Sequence, residues 1–271
     1  MQCHSPISIR DPSKDSNKER ITVPCGRCVA CLSNRRIEWS TRLEQELRMA
    51  KSAWFLTITY SDEHLPKNHS INKRDMQLFM KSLRKKVNNK LKYYLCGEYG
   101  EQTFRPHYHM ILFNYPGSKE KVQIDVMETW NKGFVHIGDV TSKSIKYTLK
   151  YMLKQQNDDF FEFVEKPFSL MSKGLGKHYI EKMTDWHHSD ISRNYVVKQD
   201  GRKERLPRYF RQKIYDEYQR KEQNQRYQEL SDAKWSELTQ EQKREFFRLE
   251  NDRKEQKKRS VKNNLKHNSK I

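Results

Sequence analysis

Between residues 53 and 155 the apolar positions recur with two periods, and each switch of period marks a new element. AWFLTITY, 53–60, combines aromatic and β-branched residues and predicts a strand. Over residues 72–87, Met76, Phe79, Met80, Leu83 and Val87 fall at i, i+3, i+4 spacing and predict an amphipathic helix. LKYYLCGEYG, 91–100, and HYHMILF, 107–113, predict two further strands joined by the polar EQTFRP. Residues 119–130 predict a helix ending at Trp130, before the breaker Gly133. GFVHIGDV, 133–140, predicts a fourth strand, and TSKSIKYTLKYMLKQ, 141–155, a helix with a Thr or Ser cap at its start. The order β-α-β-β-α-β-α implies an α+β fold. The expected architecture is an antiparallel sheet of four to five strands, ferredoxin-like, with helices packed mainly on one face.

The flanks carry less pattern. Residues 1–35 are polar and Cys-rich, and 37–50 have helical spacing through Ile37, Leu43 and Leu47. After about residue 157 the order weakens, with a Gly-rich turn at Gly174 and Gly176 and a hairpin expected around Asp200-Gly201. Residues 208–259 are charged, lack Gly and Pro, and predict long helices. The chain thus reads as four parts: a Cys-rich zinc-binding segment and helix (1–50), a core (51–156), an extension of that core (157–215) and a basic helical tail (216–271).

Charge narrows the partners. Of 271 residues, 54 are Lys or Arg against 35 Asp or Glu, a net charge of +19, which implies a polyanion and by default nucleic acid. An anionic membrane is the alternative, but no run of about 18 apolar residues would span one. The start of the chain lacks an apolar signal-peptide core, so a soluble intracellular protein with no membrane partner is expected. Within 200–271, 21 Lys and Arg face 13 Asp and Glu, many alternating at helical spacing as on a solvated face. KGLGK lacks the spacing of a phosphate-binding loop, so no ATPase is expected.

Three constellations carry chemistry. His107 and His109, at i and i+2, point to one side of their strand. They are either half-buried sheet residues or ligands of a divalent metal, which would relieve both mutual repulsion and desolvation. In a hairpin Glu98 lies near them as a third ligand that leaves coordination positions open, with Glu101 as a fallback. Tyr147 and Tyr151 share a helix face, followed at three residues by Lys150 and Lys154. They are either an aromatic stripe or phenolic nucleophiles whose deprotonation nearby cations favour. Cys25, Cys28 and Cys31, completed by Cys3 or by His4, suit a structural Zn²⁺; unligated thiols and an iron–sulfur cluster are the alternatives. Cys96, mid-strand, reads as a small core residue. Arg27, Arg35 and Arg36 beside the cysteines, and Arg105 before the histidines, are candidate DNA contacts. Tyr93, Tyr94, Tyr99, Phe104 and Tyr108 surround the hairpin as stacking platforms or core.

FLTITY, HYHMILF and YTLKYMLK, in that order, resemble the three motifs of rolling-circle replication initiators of the HUH endonuclease superfamily. VPCGRCVACLSNRR, CGEYGEQTFRPHYH, WNKGFVHIGDV and LPRYF extend the likeness to initiators of microviruses, gokushovirus-like single-stranded DNA bacteriophages, over roughly 20–215. The resemblance implies a ferredoxin/RRM-like HUH fold that nicks single-stranded origin DNA with Mg²⁺ or Mn²⁺ through a 5′-phosphotyrosyl intermediate. A second tyrosine would later close the circle. It further implies His107 and His109 as ligands, Tyr147 and Tyr151 as nucleophiles, and a host bacterial cytoplasm with the host replication helicase and polymerase as partners. Thr57 and Thr59 of the first motif are expected to shape the sheet or touch DNA. The rival readings are a non-enzymatic zinc-containing nucleic-acid-binding protein and a basic protein that packages DNA.

Overall fold

A computed structural model describes residues 3–11, 19–100, 102–150, 152 and 161–267. In chain order the elements are β1 (Ile7–Arg10), β2 (Arg20–Val23), α1 (Val29–Met49), β3 (Ala53–Tyr60), α2 (Lys73–Val87), β4 (Lys92–Tyr99) and β5 (Pro106–Phe113). They continue with α3 (Lys119–Trp130), β6 (Gly133–Asp139), α4 (Ser142–Lys150), β7 (Phe168–Met171), α5 (Lys177–His188), β8 (Tyr195–Val197) and β9 (Lys203–Arg205). The last are α6 (Arg208–Ile214), α7 (Glu217–Glu237) and α8 (Gln240–His267). The chain divides into two compact units, Trp39–Glu181 and Met1–Glu38 with Lys182–Ile271.

The first unit holds a five-stranded sheet in the order β6-β3-β5-β4-β7, every neighbouring pair antiparallel. The four expected strands take the 4-1-3-2 order of a ferredoxin-like sheet, and β7 adds a fifth beside β4. Local chemistry sets the element ends. The Asn72 side chain accepts from the backbone N–H of Arg74 and Asp75 to open α2, and Asn88 closes it in the left-handed region at φ 47°. Gly133, at φ 155°, begins β6 where a Cβ would lie 2.3 Å from both Ser61 N and Thr59 O. No other residue fits that approach.

Alternation divides the sheet into two faces. One carries Leu56, Ile58, Tyr60, Tyr108, Met110 and Leu112 against Met76, Phe79, Met80 and Leu83 of α2 and Val122, Val126 and Trp130 of α3. Each large apolar side chain buried there stabilises the fold by about 1.5–3 kcal/mol. Its polar atoms are satisfied: Tyr60 Oη donates to Asp75 (2.7 Å), and Trp130 Nε1 donates to the Thr59 carbonyl (2.9 Å). The other face carries Tyr94, Ile111 and Phe113 against Leu43 of α1, Ile145 and Leu149 of α4, and Leu175.

Helices therefore cover both faces, where the sequence led us to expect mainly one. The Leu43 and Leu47 stripe and the α4 stripe each had a sheet face to bury. Helix α1 also begins earlier than expected, at Val29. The hairpin near Asp200-Gly201 is present as β8 and β9, with Gly201 at φ 77°. The charged region after 208 is helical through α6, α7 and α8. The β1–β2 hairpin, β7 and α5 were not anticipated. No helix among the described residues is long and apolar enough to cross a membrane.

Candidate active site

The second face changes character along its strands. Beyond Ile111 and Phe113, β5 presents His109 and then His107. Their register partners are Thr57 and Thr59 on β3 and Cys96 and Glu98 on β4. His109 is buried and fixed from three sides. Its Nε2 lies 3.0 Å from Glu98 Oε1, its Nδ1 lies 3.2 Å from Thr57 Oγ1, and its ring stacks on Phe55 with centroids 5.8 Å apart. Glu98 is buried as well, so the carboxylate predicted from hairpin geometry does reach a histidine.

His107 is oriented differently. Its Nδ1 lies 2.6 Å from the Arg105 carbonyl, so Nδ1–H donates and the lone pair falls on Nε2. Burial holds its pKa below the usual histidine range, keeping the ring in the neutral form that ligates metals. Two imidazoles and one carboxylate fit a divalent cation, and the nitrogen share favours Mn²⁺ over Mg²⁺. Glu98 touches His109, but the three donors are not gathered as closely as the thiols described below.

Helix α4 sets Tyr147 over this face. Thr141 Oγ1 accepts from Ser144 N (3.2 Å) at the start of the helix, and Ile145, Thr148 and Leu149 are buried beneath it. Cys96 Sγ donates to the Thr148 carbonyl (3.5 Å), and burial pushes its thiol pKa well up, so it serves as packing. Tyr147 stays 41% exposed, open to a ligand, while its ring meets His109 edge-on with centroids 5.1 Å apart. Lys150 Nζ stands 4.3 Å from the centre of the Tyr147 ring, a cation on the aromatic face. Tyr151, Lys154 and Glu101 lie outside the described residues.

The other candidates separate by environment. Arg105 donates to Asp62 Oδ1 and to the Tyr60 carbonyl, both at 2.7 Å, and so ties β3 to β5. Arg27 and Arg35 are exposed; Arg36 is half-buried, and burial lowers its pKa. Of the five aromatics near the hairpin, Tyr93, Tyr94, Tyr99 and Tyr108 are core, and Phe104 is exposed. Sequence reasoning missed Phe55 and Thr57 as supports of His109. The signal was available, because alternation puts 55, 57 and 59 on one face of a strand next to the histidines.

The cysteines form a second constellation in the other unit. The Sγ atoms of Cys3, Cys25, Cys28 and Cys31 all lie within 4.8 Å of one another. Cys3 Sγ is 3.5 Å from Cys25 Sγ and 3.8 Å from Cys28 Sγ. Four thiolates about 2.3 Å from a tetrahedral Zn²⁺ would stand about 3.8 Å apart. Cys3 joins the set, and His4 contributes its backbone N–H to Cys28. Burial pushes the Cys28 thiol up, but backbone N–H groups of Cys31 and His4 and the neighbouring thiols outweigh it and lower the pKa to about 6. Burial instead raises Cys31 to about 12, as expected where adjacent thiols share charge without a cation.

The family model of the ORF2-type replication-associated proteins matches residues 53–156. The replication-associated protein VP4 of Bdellovibrio phage phiMH2K is 32% identical over 223 residues, covering 73% of this chain and 70% of its own length. The replication-associated protein ORF2 of Spiroplasma virus 4 is 32% identical over 231 residues, 76% of this chain and 72% of that protein. The replication-associated protein ORF4 of Chlamydia phage 1 is 30% identical over 153 residues, 49% of this chain and 38% of that protein. No solved structure matches.

Proposed function

The chain belongs to the phage replication-associated protein family, and from that premise we propose that it is a metal-dependent, tyrosine-based single-strand endonuclease and strand transferase that starts viral replication. The observation that carries this reading is the contact between Tyr147 and His109 on a sheet face that also holds Glu98 and His107. A phenol beside a set of metal-ligating side chains, half-open to solvent, suits attack on a phosphodiester. The Tyr147 oxygen forms a bond to phosphorus and gives up its proton; the bond to the 3′-oxygen breaks, and that oxygen leaves as a hydroxyl. Lys150 favours the phenolate form. A divalent cation held by His107, His109 and Glu98 would polarise the phosphate and offset the charge that develops on it. Thr57 and Phe55 keep His109 in place for that duty. Tyr151, one helical turn on in sequence, would supply the second nucleophile that closes the circle. Zn²⁺ on the four cysteines would be structural, since four thiolates leave no open position.

The test is incubation of the full chain with labelled single-stranded origin DNA, with Mn²⁺ or with EDTA. The expected product is a protein–DNA adduct that survives SDS, forms only with metal, and disappears in the Tyr147→Phe plus Tyr151→Phe variant. Binding without any adduct across origin-containing fragments would sink the nuclease reading and leave a zinc-containing nucleic-acid-binding protein.

A further inference from the structure

A cavity of about 690 Å³ lies within the unit formed by the chain ends, between the 191–194 turn, β9, α6 and the first half of α7. Its volume is that of an ordinary ligand site, typically about 300–1,000 Å³. Three guanidinium groups line it, those of Arg205, Arg211 and Arg226.

Arg211 is held from below. It donates to Gln223 Oε1 (3.1 Å), Asn224 Oδ1 (2.8 Å) and the Arg220 carbonyl (3.2 Å), and Gln223 Nε2 is anchored on the Ile191 carbonyl (2.9 Å). Every one of these acceptors is neutral, so the half-buried charge of Arg211 is oriented but not cancelled. Burial, and then Arg205 and Arg220, lower its pKa, which is the signature of a cation short of an anion. The side chains of Arg205 and Arg226 make no hydrogen bond or ion pair among the described residues. Asp190 is the carboxylate that responds to Arg226, but it is already engaged by Ser192 and Arg193. Three like charges around one cavity repel each other unless an anion enters.

Two further features define that anion. Asn194 Oδ1 is buried without a hydrogen-bond partner among the described residues, an acceptor in need of a donor such as a nucleobase amine. Tyr227 stands at the wall of the cavity with 75% of its surface exposed, a flat ring on which a base can stack.

We propose that this arginine-lined cavity is a second nucleic-acid site, which grips the phosphodiester backbone of a single strand and stacks an adjacent base on Tyr227. The open wall lets a strand pass through, and the arginines suit bidentate recognition of phosphate oxygens. A free nucleotide offers the same chemistry, and the experiment separates the two. That the strand is DNA rests on the replication function proposed above.

The assay uses the full chain carrying Tyr147→Phe and Tyr151→Phe, so binding is read without cleavage and stands apart from the nuclease reading. Fluorescence anisotropy with a labelled single-stranded oligonucleotide is measured across a salt series, with and without Arg205→Gln plus Arg226→Gln. Neither arginine has a side-chain partner among the described residues, and a thermal melt confirms that the variant folds. The expected result is affinity at least about tenfold weaker and a log–log salt slope shallower by about 1.4, for two phosphate contacts. A photo-cross-linking oligonucleotide should label Tyr227. Unchanged affinity and slope would overturn the site. Displacement of the oligonucleotide by ATP at an equal nucleotide concentration would overturn the strand as its occupant.

Discussion

The two faces of the central sheet are built from the same strands and do opposite things. On one, Leu56, Ile58, Tyr60, Tyr108 and Met110 disappear under α2 and α3. On the other, the intervening residues Phe55, Thr57, Thr59, His107 and His109 lead out from an apolar floor to a polar, partly open end. Rigidity made on one side is thereby delivered to the other, because a strand pinned by Ile58 and Tyr108 cannot let Thr57 or His109 drift. Packing and chemistry should accordingly respond to different substitutions.

The largest separation is expected from Trp130→Ala, which empties the centre of the packed face. It should cost about 3–5 kcal/mol in chemical denaturation, with adduct formation falling only as folded protein is lost. His107→Ala should do the reverse. The ring is half-buried, so the denaturation midpoint moves little, while metal-dependent adduct formation drops on the order of 10²-fold or more in single-turnover assays. A result in which both variants lose activity and stability together would dissolve the distinction between the faces.

Thr57→Val is a subtler probe, because it removes the hydroxyl at His109 Nδ1 and keeps the shape. Adduct formation should fall about 10- to 100-fold, with a higher Mn²⁺ requirement. Smallest in effect is Asp125→Asn, under the packed face. The hydrogen bond from Tyr115, then those from Lys121 and Lys86, hold the Asp125 carboxyl down to about 2. A depressed carboxylate contributes stability above its unfolded pKa and loses it as pH falls, here between about 4 and 2. The variant should therefore lose about 1–2 kcal/mol at neutral pH and flatten that acid limb in pH-dependent melts, leaving cleavage at neutral pH unaltered.

The sequence exposed the core of this arrangement because each of its signals was physical and local. Period-two runs gave β3 to β6, the Met76–Val87 stripe gave α2, and hairpin logic brought Glu98 to the histidines. Elements that lack a period of their own stayed hidden. β7 is four residues long and owes its place to β4, and β1–β2 is almost entirely exposed, with no buried face to advertise it. The helices on the second face were readable as helices, but not as to side, since amphipathicity reports that a face is buried and not against what. The cysteine spacing announced a cluster, and only folding could select Cys3 over His4.

Cys96 has a consequence of another kind. It lies under α4, in sulfur contact with the carbonyl of Thr148, one residue from Tyr147. Its side chain is therefore a spacer whose thickness sets the height of the nucleophile above the metal-binding face. A lineage that enlarges residue 96 must shrink something on α4 to keep that height, and one that shrinks it must fill the gap. Positions 96 and 148 should thus change together over evolutionary time, in a protein where neither one touches the substrate.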